Sequence, residues 1–187
     1  MAATFERLVV PDVILCRPKV FGDSRGFFVE RYRKDLYSEN GINCEFVQTN
    51  HSFSRNGVIR GMHYQLRHPQ AKLVSVMSGK IFDVAVDIRR GSPTFGKWAG
   101  AVLTGEGAEQ LFIPCGFAHG FQVLSDEVHF LYQCSDYYAP GDEAGFRWDS
   151  QSLGIQWRGT ASNLSPKDAA MKSFDDVPDE MFPVYDK

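Results

Sequence analysis

Short runs of β-branched, aromatic and aliphatic residues, separated by Gly- and Pro-containing turns, recur along almost the entire chain. Such runs predict β-strands, and signals such as Ser54–Gly57 and Ala139–Asp142 predict tight turns between them. Helical signals are confined to Lys34–Asn40 and Pro166–Phe174. The predicted strands are Leu8–Leu15, Arg25–Tyr32, Phe46–Ser54, Val58–Gln65, Lys72–Met77, Lys80–Ile88, Trp98–Leu103, Gln110–Ile113, Gly120–Leu124 and Val128–Tyr138. Many short strands with few helices are typical of a β-sandwich or a β-barrel.

The length and composition are those of an ordinary globular domain. The chain has 187 residues, of which 43% are apolar and 23% charged, and this excludes a disordered or fibrous chain. At ~150 residues per domain, the length predicts a single domain. We expect a core over about residues 8–160 and a polar C-terminal segment, residues 161–187, that packs over it.

Charge and hydropathy exclude several kinds of partner. Lys plus Arg is 20 and Asp plus Glu is 23, a net charge of -3, whereas proteins that bind nucleic-acid backbones are usually basic. The N-terminal residues lack the features of a secretory signal, and no apolar run is long enough to span a membrane. The four cysteines are scattered, without a C-x-x-C pair. We therefore expect no nucleic acid and no membrane as partner, and a cytoplasmic protein with reduced cysteines.

One constellation has the spacing of the cupin metal motifs. In the first motif, His63 and Gln65 follow Gly57, and the interval from Lys72 to Gly79 matches its end. The segment Pro114–His119 has the spacing of the second motif. This spacing predicts a cupin-type, double-sheet jelly roll with short peripheral helices, an all-β fold.

The residues at the ligand positions of that motif do not suit a metal. Gln65 stands where a second histidine would be, and Lys72 stands where a glutamate would be. Transition metals favour imidazole and carboxylate ligands, and an ammonium group opposes a cation. We therefore predict no metal and no cofactor.

A histidine, a lysine and a tyrosine in the mouth of a barrel suit proton transfer next to a carbonyl. Histidine is a general base near neutral pH, lysine can stabilise an enolate oxygen, and tyrosine can return a proton. On the residues alone, His63 could equally be a hydrogen-bonded core histidine.

Six segments, in the same order along the chain and without a shift between them, carry characteristic residues. They are Val20–Glu30, Phe46–Ser52, Val58–Gln65, Phe82–Gly96, Ile113–Gly120 and Phe130–Tyr132. Together they resemble the dTDP-4-dehydrorhamnose 3,5-epimerase family over about residues 8–168. The resemblance implies a metal-free jelly-roll homodimer that inverts carbons 3 and 5 of dTDP-4-dehydro-6-deoxy-D-glucose to give dTDP-4-dehydro-L-rhamnose.

The resemblance also implies a role for particular residues. His63 resembles the proton acceptor, Asp168 its carboxylate partner, and Tyr132 the proton donor on the other face of the sugar. Lys72 resembles the group beside the 4-keto oxygen. Contacts with the nucleotide sugar are implied for Arg25, Phe28, Glu30, Gln48, Thr49, Asn50, Arg60, His119, Tyr138, Glu143 and Lys167. Of these, Tyr138 resembles the ring that stacks on thymine.

Strand alternation tests part of this assignment. Arg60 and His63 fall on opposite faces of a regular strand, unless a bulge at Gly61 re-aims one of them. Arg25 and Glu30 also differ in parity, so one of them could reach the site of a neighbouring subunit.

Two alternatives remain open on the sequence. Leu66–Lys72 is about one residue shorter than the family's usual loop, and Ser75 and Gln133 replace residues that are often basic. These departures admit an epimerase acting at a single carbon, or a keto-isomerase of a related deoxysugar pathway. The other alternative is a non-catalytic cupin that only binds sugar nucleotides.

Overall fold

Antiparallel strands form most of the protein. The structure is a computed structural model that describes residues 3–185. Its strands are β1 (Ala3–Arg7), β2 (Ile14–Pro18), β3 (Val20–Asp23), β4 (Gly26–Val29), β5 (Gln48–Arg55), β6 (Ile59–Gln65), β7 (Lys72–Ser78), β8 (Lys80–Asp87), β9 (Trp98–Thr104), β10 (Gln110–Ile113), β11 (Phe117–Val123), β12 (Glu127–Cys134) and β13 (Glu143–Gly145). The helices are α1 (Lys34–Glu39) and α2 (Pro166–Ala169), with 3₁₀ turns at Gln151–Leu153, Phe174–Asp176 and Asp179–Met181.

The strands form two main sheets. The six-stranded sheet has the order β1-β2-β10-β7-β12-β5, and the five-stranded sheet has the order β13-β6-β11-β8-β9. Strands β3 and β4 form a separate two-stranded hairpin. The prediction of an all-β, double-sheet fold with short helices is confirmed.

Three apolar clusters hold these layers together. The first lies between the sheets, where Leu111 and Phe130 of the six-stranded sheet belong to one cluster with Phe121 of the five-stranded sheet. The second joins the five-stranded sheet to the C-terminal segment through residues such as Phe182. The third surrounds Tyr37 of α1, on the six-stranded sheet. Among residues 3–185, no helix is both long and apolar enough to cross a membrane.

Some predicted element boundaries are wrong. Most of the predicted strand Leu8–Leu15 is instead a reversal between β1 and β2, in which the N–H of Leu8 donates to the carbonyl of Val13; only Ile14 and Leu15 belong to a strand, β2. Val10 and Val13 are fully buried there, so their apolar character reflects a packed turn rather than a strand. The predicted helix Pro166–Phe174 contains only the short α2, followed after a break by a 3₁₀ turn.

Of the two alternatives left open for Arg60 and His63, the bulge at Gly61 is confirmed. His63 pairs with His119 and Arg60 pairs with Phe121, so Gly61 and Met62 together oppose one residue of β11. Gly61 has a φ of +117°, and a Cβ there would lie 2.6 Å from the Cα of Gly120, so a glycine is required for this approach. The extra residue brings the side chains of Arg60 and His63 to the same cavity.

Candidate active site

A cavity of about 240 Å³ lies between the two main sheets. It shares Arg60 and His63 with a groove of about 570 Å³ that extends to α2. It shares His63, Lys72, Tyr132 and Glu143 with a second groove of about 420 Å³ that extends to Tyr138. The cavity is lined by Ser52, Arg60, His63, Lys72, His119, Phe121, Phe130, Tyr132 and Glu143.

His63 is held by a buried carboxylate. Its Nε2 lies 2.6 Å from Oδ1 of Asp168, whose side chain is only 3% exposed. Asp168 is fixed at the start of α2, where its N–H donates to the N-cap Oγ of Ser165 at 3.0 Å. Burial opposes ionisation of Asp168, but the hydrogen bond from His63 keeps the pKa of the carboxyl below its ordinary value. Because an ionised carboxylate only accepts, Nε2 carries the hydrogen and Nδ1 keeps the free lone pair.

Glu143 connects the base to the rim of the second groove. Its Oε1 lies 3.8 Å from Nδ1 of His63. Its Oε2 accepts hydrogen bonds from Nζ of Lys167 and from the hydroxyl of Tyr138, the latter at 3.4 Å. Burial opposes ionisation of Glu143, but the hydrogen bond from Lys167 lowers the pKa of its carboxyl below the ordinary value. The carboxylate thus lies beside the lone pair of the base and stabilises an imidazolium there.

Tyr132 and Lys72 form the opposite wall. They lie on β12 and β7, neighbouring strands of the six-stranded sheet, whereas His63 lies on β6 of the other sheet. Burial raises the pKa of the Tyr132 hydroxyl, so it holds its proton at neutral pH. Burial also lowers the pKa of the Lys72 ammonium. A group bound between the sheets would therefore have a base on one side, and an acid with a lysine on the other.

His119 is anchored at the back of the cavity. Its Nε2 lies 3.0 Å from Oδ2 and 3.1 Å from Oδ1 of Asp83, a residue with no solvent exposure. Burial raises the pKa of the Asp83 carboxyl. Asp83 is not among the site residues predicted from the sequence. Only the pairing of β8 with β11, the strand that carries His119, creates this contact, so no local sequence signal indicates it.

The rim of the second groove brings together three further predicted residues. Gln48 and Asn50 project from the same face of β5, and Gln48 Nε2 donates to Asn50 Oδ1 at 3.0 Å. Gln48 Oε1 accepts from the N–H of Tyr138 at 2.9 Å. The ring of Tyr138 is half-exposed at the mouth.

Four predicted site residues lie outside these grooves. Thr49 is exposed on the outer face of β5, because it alternates with Gln48 and Asn50. Arg25 and Phe28 line a separate groove of about 330 Å³ formed by the β3–β4 hairpin. Arg25 pairs there with Asp23 at 2.6 Å. Glu30 is exposed just beyond the hairpin, 3.8 Å from Arg33.

The donor set in the cavity does not fit a transition metal. Within residues 3–185, no group of three or more His, Cys, Asp and Glu side chains is placed to hold a metal ion. Gln65, at a ligand position of the motif, has its amide hydrogen-bonded to backbone. A ligand set of His63 and His119 alone falls short of the three protein ligands that catalytic metals normally have.

A histidine and a tyrosine on facing sheets, beside a lysine in one cavity, are the arrangement expected of a jelly-roll epimerase. Residues 7–176 match the sequence model of the dTDP-4-dehydrorhamnose 3,5-epimerase family, and the chain belongs to this family.

Curated relatives and a solved structure agree with this assignment. A dTDP-4-dehydrorhamnose 3,5-epimerase of Pseudomonas aeruginosa is 51% identical over 173 residues, 91% of this chain and 96% of that protein. One of Neisseria gonorrhoeae is 53% identical over 166 residues, which is 88% of this chain but 51% of that longer protein. A crystal structure of the Legionella pneumophila dTDP-6-deoxy-D-glucose-3,5-epimerase, in complex with dTDP-4-keto-L-rhamnose, has a TM-score of 0.95 and 46% identity. That match covers 99% of this chain and 100% of the other.

Proposed function

We propose that this protein is an epimerase that inverts carbons 3 and 5 of dTDP-4-dehydro-6-deoxy-D-glucose, giving dTDP-4-dehydro-L-rhamnose. The observation that carries the proposal is the placement of His63 and Tyr132 on facing sheets, on either side of one cavity. Inversion of a carbon requires removal of a proton from one face and delivery of a proton to the other.

In the first half of the reaction, Nδ1 of His63 takes the proton from a carbon next to the 4-keto group. The electron pair of that C–H bond moves into the ring, and the keto oxygen becomes an enolate oxygen. Asp168, 2.6 Å from Nε2, stabilises the imidazolium that forms. Lys72 lies across the cavity and stabilises the enolate oxygen, so a metal is not needed as a Lewis acid.

In the second half, the hydroxyl of Tyr132 delivers a proton to the opposite face of the same carbon, and the carbonyl is restored. The raised pKa of Tyr132 favours a neutral hydroxyl that is ready to donate and that regains a proton from solvent. Carbons 3 and 5 both flank the 4-keto carbon. Once His63 has released its proton to solvent and Tyr132 has regained one, the same base and acid can serve the second inversion.

The grooves beside the cavity suit the remainder of the substrate. Arg60 and Lys167 line the larger groove and supply positive charge for the diphosphate. Tyr138 at the rim offers an aromatic face to the thymine, and Gln48 and Asn50 offer amides to the nucleotide.

The exposed β3–β4 hairpin supports a homodimer. Phe21, Phe27 and Phe28 are 50%, 63% and 68% exposed, an unusual apolar surface for a hairpin in water. In a dimer, this hairpin would carry Arg25, Phe28 and Glu30 to the site of a second copy. Sedimentation equilibrium tests this, since a monomer at assay concentration would contradict it.

We also propose one domain, because the apolar clusters share the two main sheets, and a cytoplasmic location. All four cysteines are free thiols, and a reducing compartment suits them.

Deuterium incorporation tests the reaction. The protein is incubated with dTDP-4-dehydro-6-deoxy-D-glucose in deuterated water, and the product is read by NMR and mass spectrometry. Deuterium at both carbons 3 and 5, with inverted configuration, supports the proposal. Deuterium at one carbon alone would make the protein a single-carbon epimerase. Binding without exchange would make it a non-catalytic sugar-nucleotide-binding protein.

A further inference from the structure

The side chain of Gln65 joins two loops at the rim of the second groove. Its Nε2 donates to the carbonyl of His68 at 2.7 Å and, at the longer distance of 3.5 Å, to the carbonyl of Tyr137. Its Oε1 accepts from the N–H of Ala139 at 2.9 Å. The residue is only 8% exposed, so these partners replace water for a buried amide.

These contacts lie on both sides of Tyr138. Gln65 bonds the residue before it and the residue after it, while Gln48 Oε1 accepts from the N–H of Tyr138 itself. Tyr138 lies beyond the end of β12 and has no strand partner. The two glutamines therefore supply the hydrogen bonds that a neighbouring strand would otherwise make, and they fix the backbone from which the Tyr138 ring projects.

Further hydrogen bonds make the two loops one unit. The carboxylate of Asp142 accepts from the N–H groups of Arg67 and His68 at 3.0 and 2.8 Å. Gln70 Nε2 donates to the carbonyl of Asp136 at 2.7 Å. Of these contacts, only those of Gln65 connect the C-terminal end of β6, two residues from His63, directly to the backbone beside the rim tyrosine.

The chemistry of these partners requires an amide. The two carbonyls need donors and the N–H group needs an acceptor, and only a primary amide supplies two donors and an acceptor together. A histidine at this position, as in the metal motif, has only two ring nitrogens, and a glutamate has no donor when ionised.

We propose that Gln65 is a positioning residue that holds Tyr138 in the orientation needed to stack on the nucleobase, and thereby determines nucleotide affinity. This inference rests on the proposed function, because it takes the ligand to be dTDP and its sugar conjugate. It gives a role to a position of the cupin motif that the mechanism leaves unused.

The test is a double-mutant cycle with Tyr138, read by calorimetric binding of dTDP and by steady-state kinetics. Gln65→Leu should weaken dTDP about tenfold, within the range of one base–aromatic stack, and should raise KM with little change in kcat. Tyr138→Ala should weaken dTDP at least as much, and Gln65→Leu should then add little, because the ring that it orients is gone.

Two more variants separate positioning from general stability. Gln122→Leu is the matched control, since Gln122 is also a buried glutamine and accepts from the N–H of Arg158 at 2.8 Å, outside both grooves. It should lower stability without changing dTDP affinity. Gln65→Glu keeps the acceptor for Ala139 but sets a carboxylate against two carbonyls, so its dTDP affinity should recover as the pH is lowered and the carboxyl is protonated.

The outcomes distinguish this inference from the proposed function. If the wild-type protein neither binds dTDP nor catalyses exchange, the proposed function fails. If the wild-type protein does both, and Gln65→Leu and Gln65→Glu bind dTDP as tightly as it does, the positioning role is wrong. Losses from Gln65→Leu and Tyr138→Ala that simply add, or an equal loss in Gln122→Leu, would also overturn it.

Discussion

Replacement of Asp168 by asparagine tests the His63–Asp168 pair most directly. The substitution keeps the shape of a side chain that is 3% exposed and 2.6 Å from the imidazole, so packing is preserved. It removes the negative charge beside Nε2. The new amide can also donate to Nε2, which would move the ring hydrogen to Nδ1 and occupy the lone pair that faces the cavity.

The expected loss can be worked out from this geometry. A hydrogen bond to a charged partner contributes about 1.5–3 kcal/mol, and the Coulomb attraction of two unit charges about 4 Å apart is about 4 kcal/mol at an effective dielectric of ~20. Each 1.36 kcal/mol of activation free energy changes the rate tenfold, so a loss of about 3–4 kcal/mol lowers kcat by about 10²–10³-fold. Inversion of the tautomer would extend the loss to about 10⁴-fold. KM should hardly change, because Asp168 lies behind the ring.

The assay follows deuterium exchange at carbons 3 and 5 together with formation of inverted product. Thermal unfolding of the variant confirms that it is folded. Asp149→Asn is the matched control, because Asp149 forms an ion pair at the surface with Arg147 at 2.7 Å and should be dispensable. A folded Asp168→Asn variant that keeps more than about a tenth of wild-type kcat would refute the role assigned to the carboxylate.

Three further predictions concern the acid, the metal and the pH. Tyr132→Phe should keep proton exchange but slow formation of inverted product, because the ring remains and only the donor is lost; inverted product formed at the wild-type rate would exclude Tyr132 as the donor. Dialysis against a strong chelator, with metal content verified by elemental analysis, should leave activity unchanged, and loss of activity that one specific metal restores would contradict the metal-free mechanism. Burial opposes ionisation of Asp142, but hydrogen bonds from Arg67 and from the N–H groups of His68 and Arg67 lower its pKa to about 2. This is below the value of an unfolded aspartate, so the contribution of Asp142 to stability is complete above about pH 4 and is lost as the pH falls towards 2. Acid titration of the free energy of unfolding should therefore show a shallower fall between those pH values for Asp142→Asn than for wild type, and equal slopes would contradict the assignment.

Local patterns in the sequence predicted the part of the site that lies on regular strands. Alternation placed Gln48 and Asn50 on one face of β5, and Gly61 indicated the bulge that brings Arg60 beside His63. The same alternation places Thr49 on the opposite face of β5, and in the structure that face is exposed. Patterns of this kind are local and depend only on strand geometry.

The remainder of the site depends on contacts between distant parts of the chain. Nothing in the sequence near Asp83 indicates that its carboxylate bonds His119, since the pairing of β8 with β11 creates that contact. The hydrogen bonds of Gln65 join loops, whose conformation follows no repeating sequence pattern from which it could be predicted. The reversal at Val10 shows the opposite error, because apolar residues packed in a turn imitate a strand.

The carboxylate partner of His63 lies on α2, outside both main sheets. Asp168 stands 105 residues beyond His63, on a segment that reaches the five-stranded sheet through side chains such as Phe182 and through the bond from the Tyr64 hydroxyl to the carbonyl of Met181 at 2.8 Å. The sheets can therefore be complete while the base still lacks its counter-ion. During refolding, the circular dichroism of the strands should recover before turnover does, and the interval between them measures the docking of the segment that carries Asp168. Turnover thus reports that the segment carrying Asp168 has packed against the five-stranded sheet.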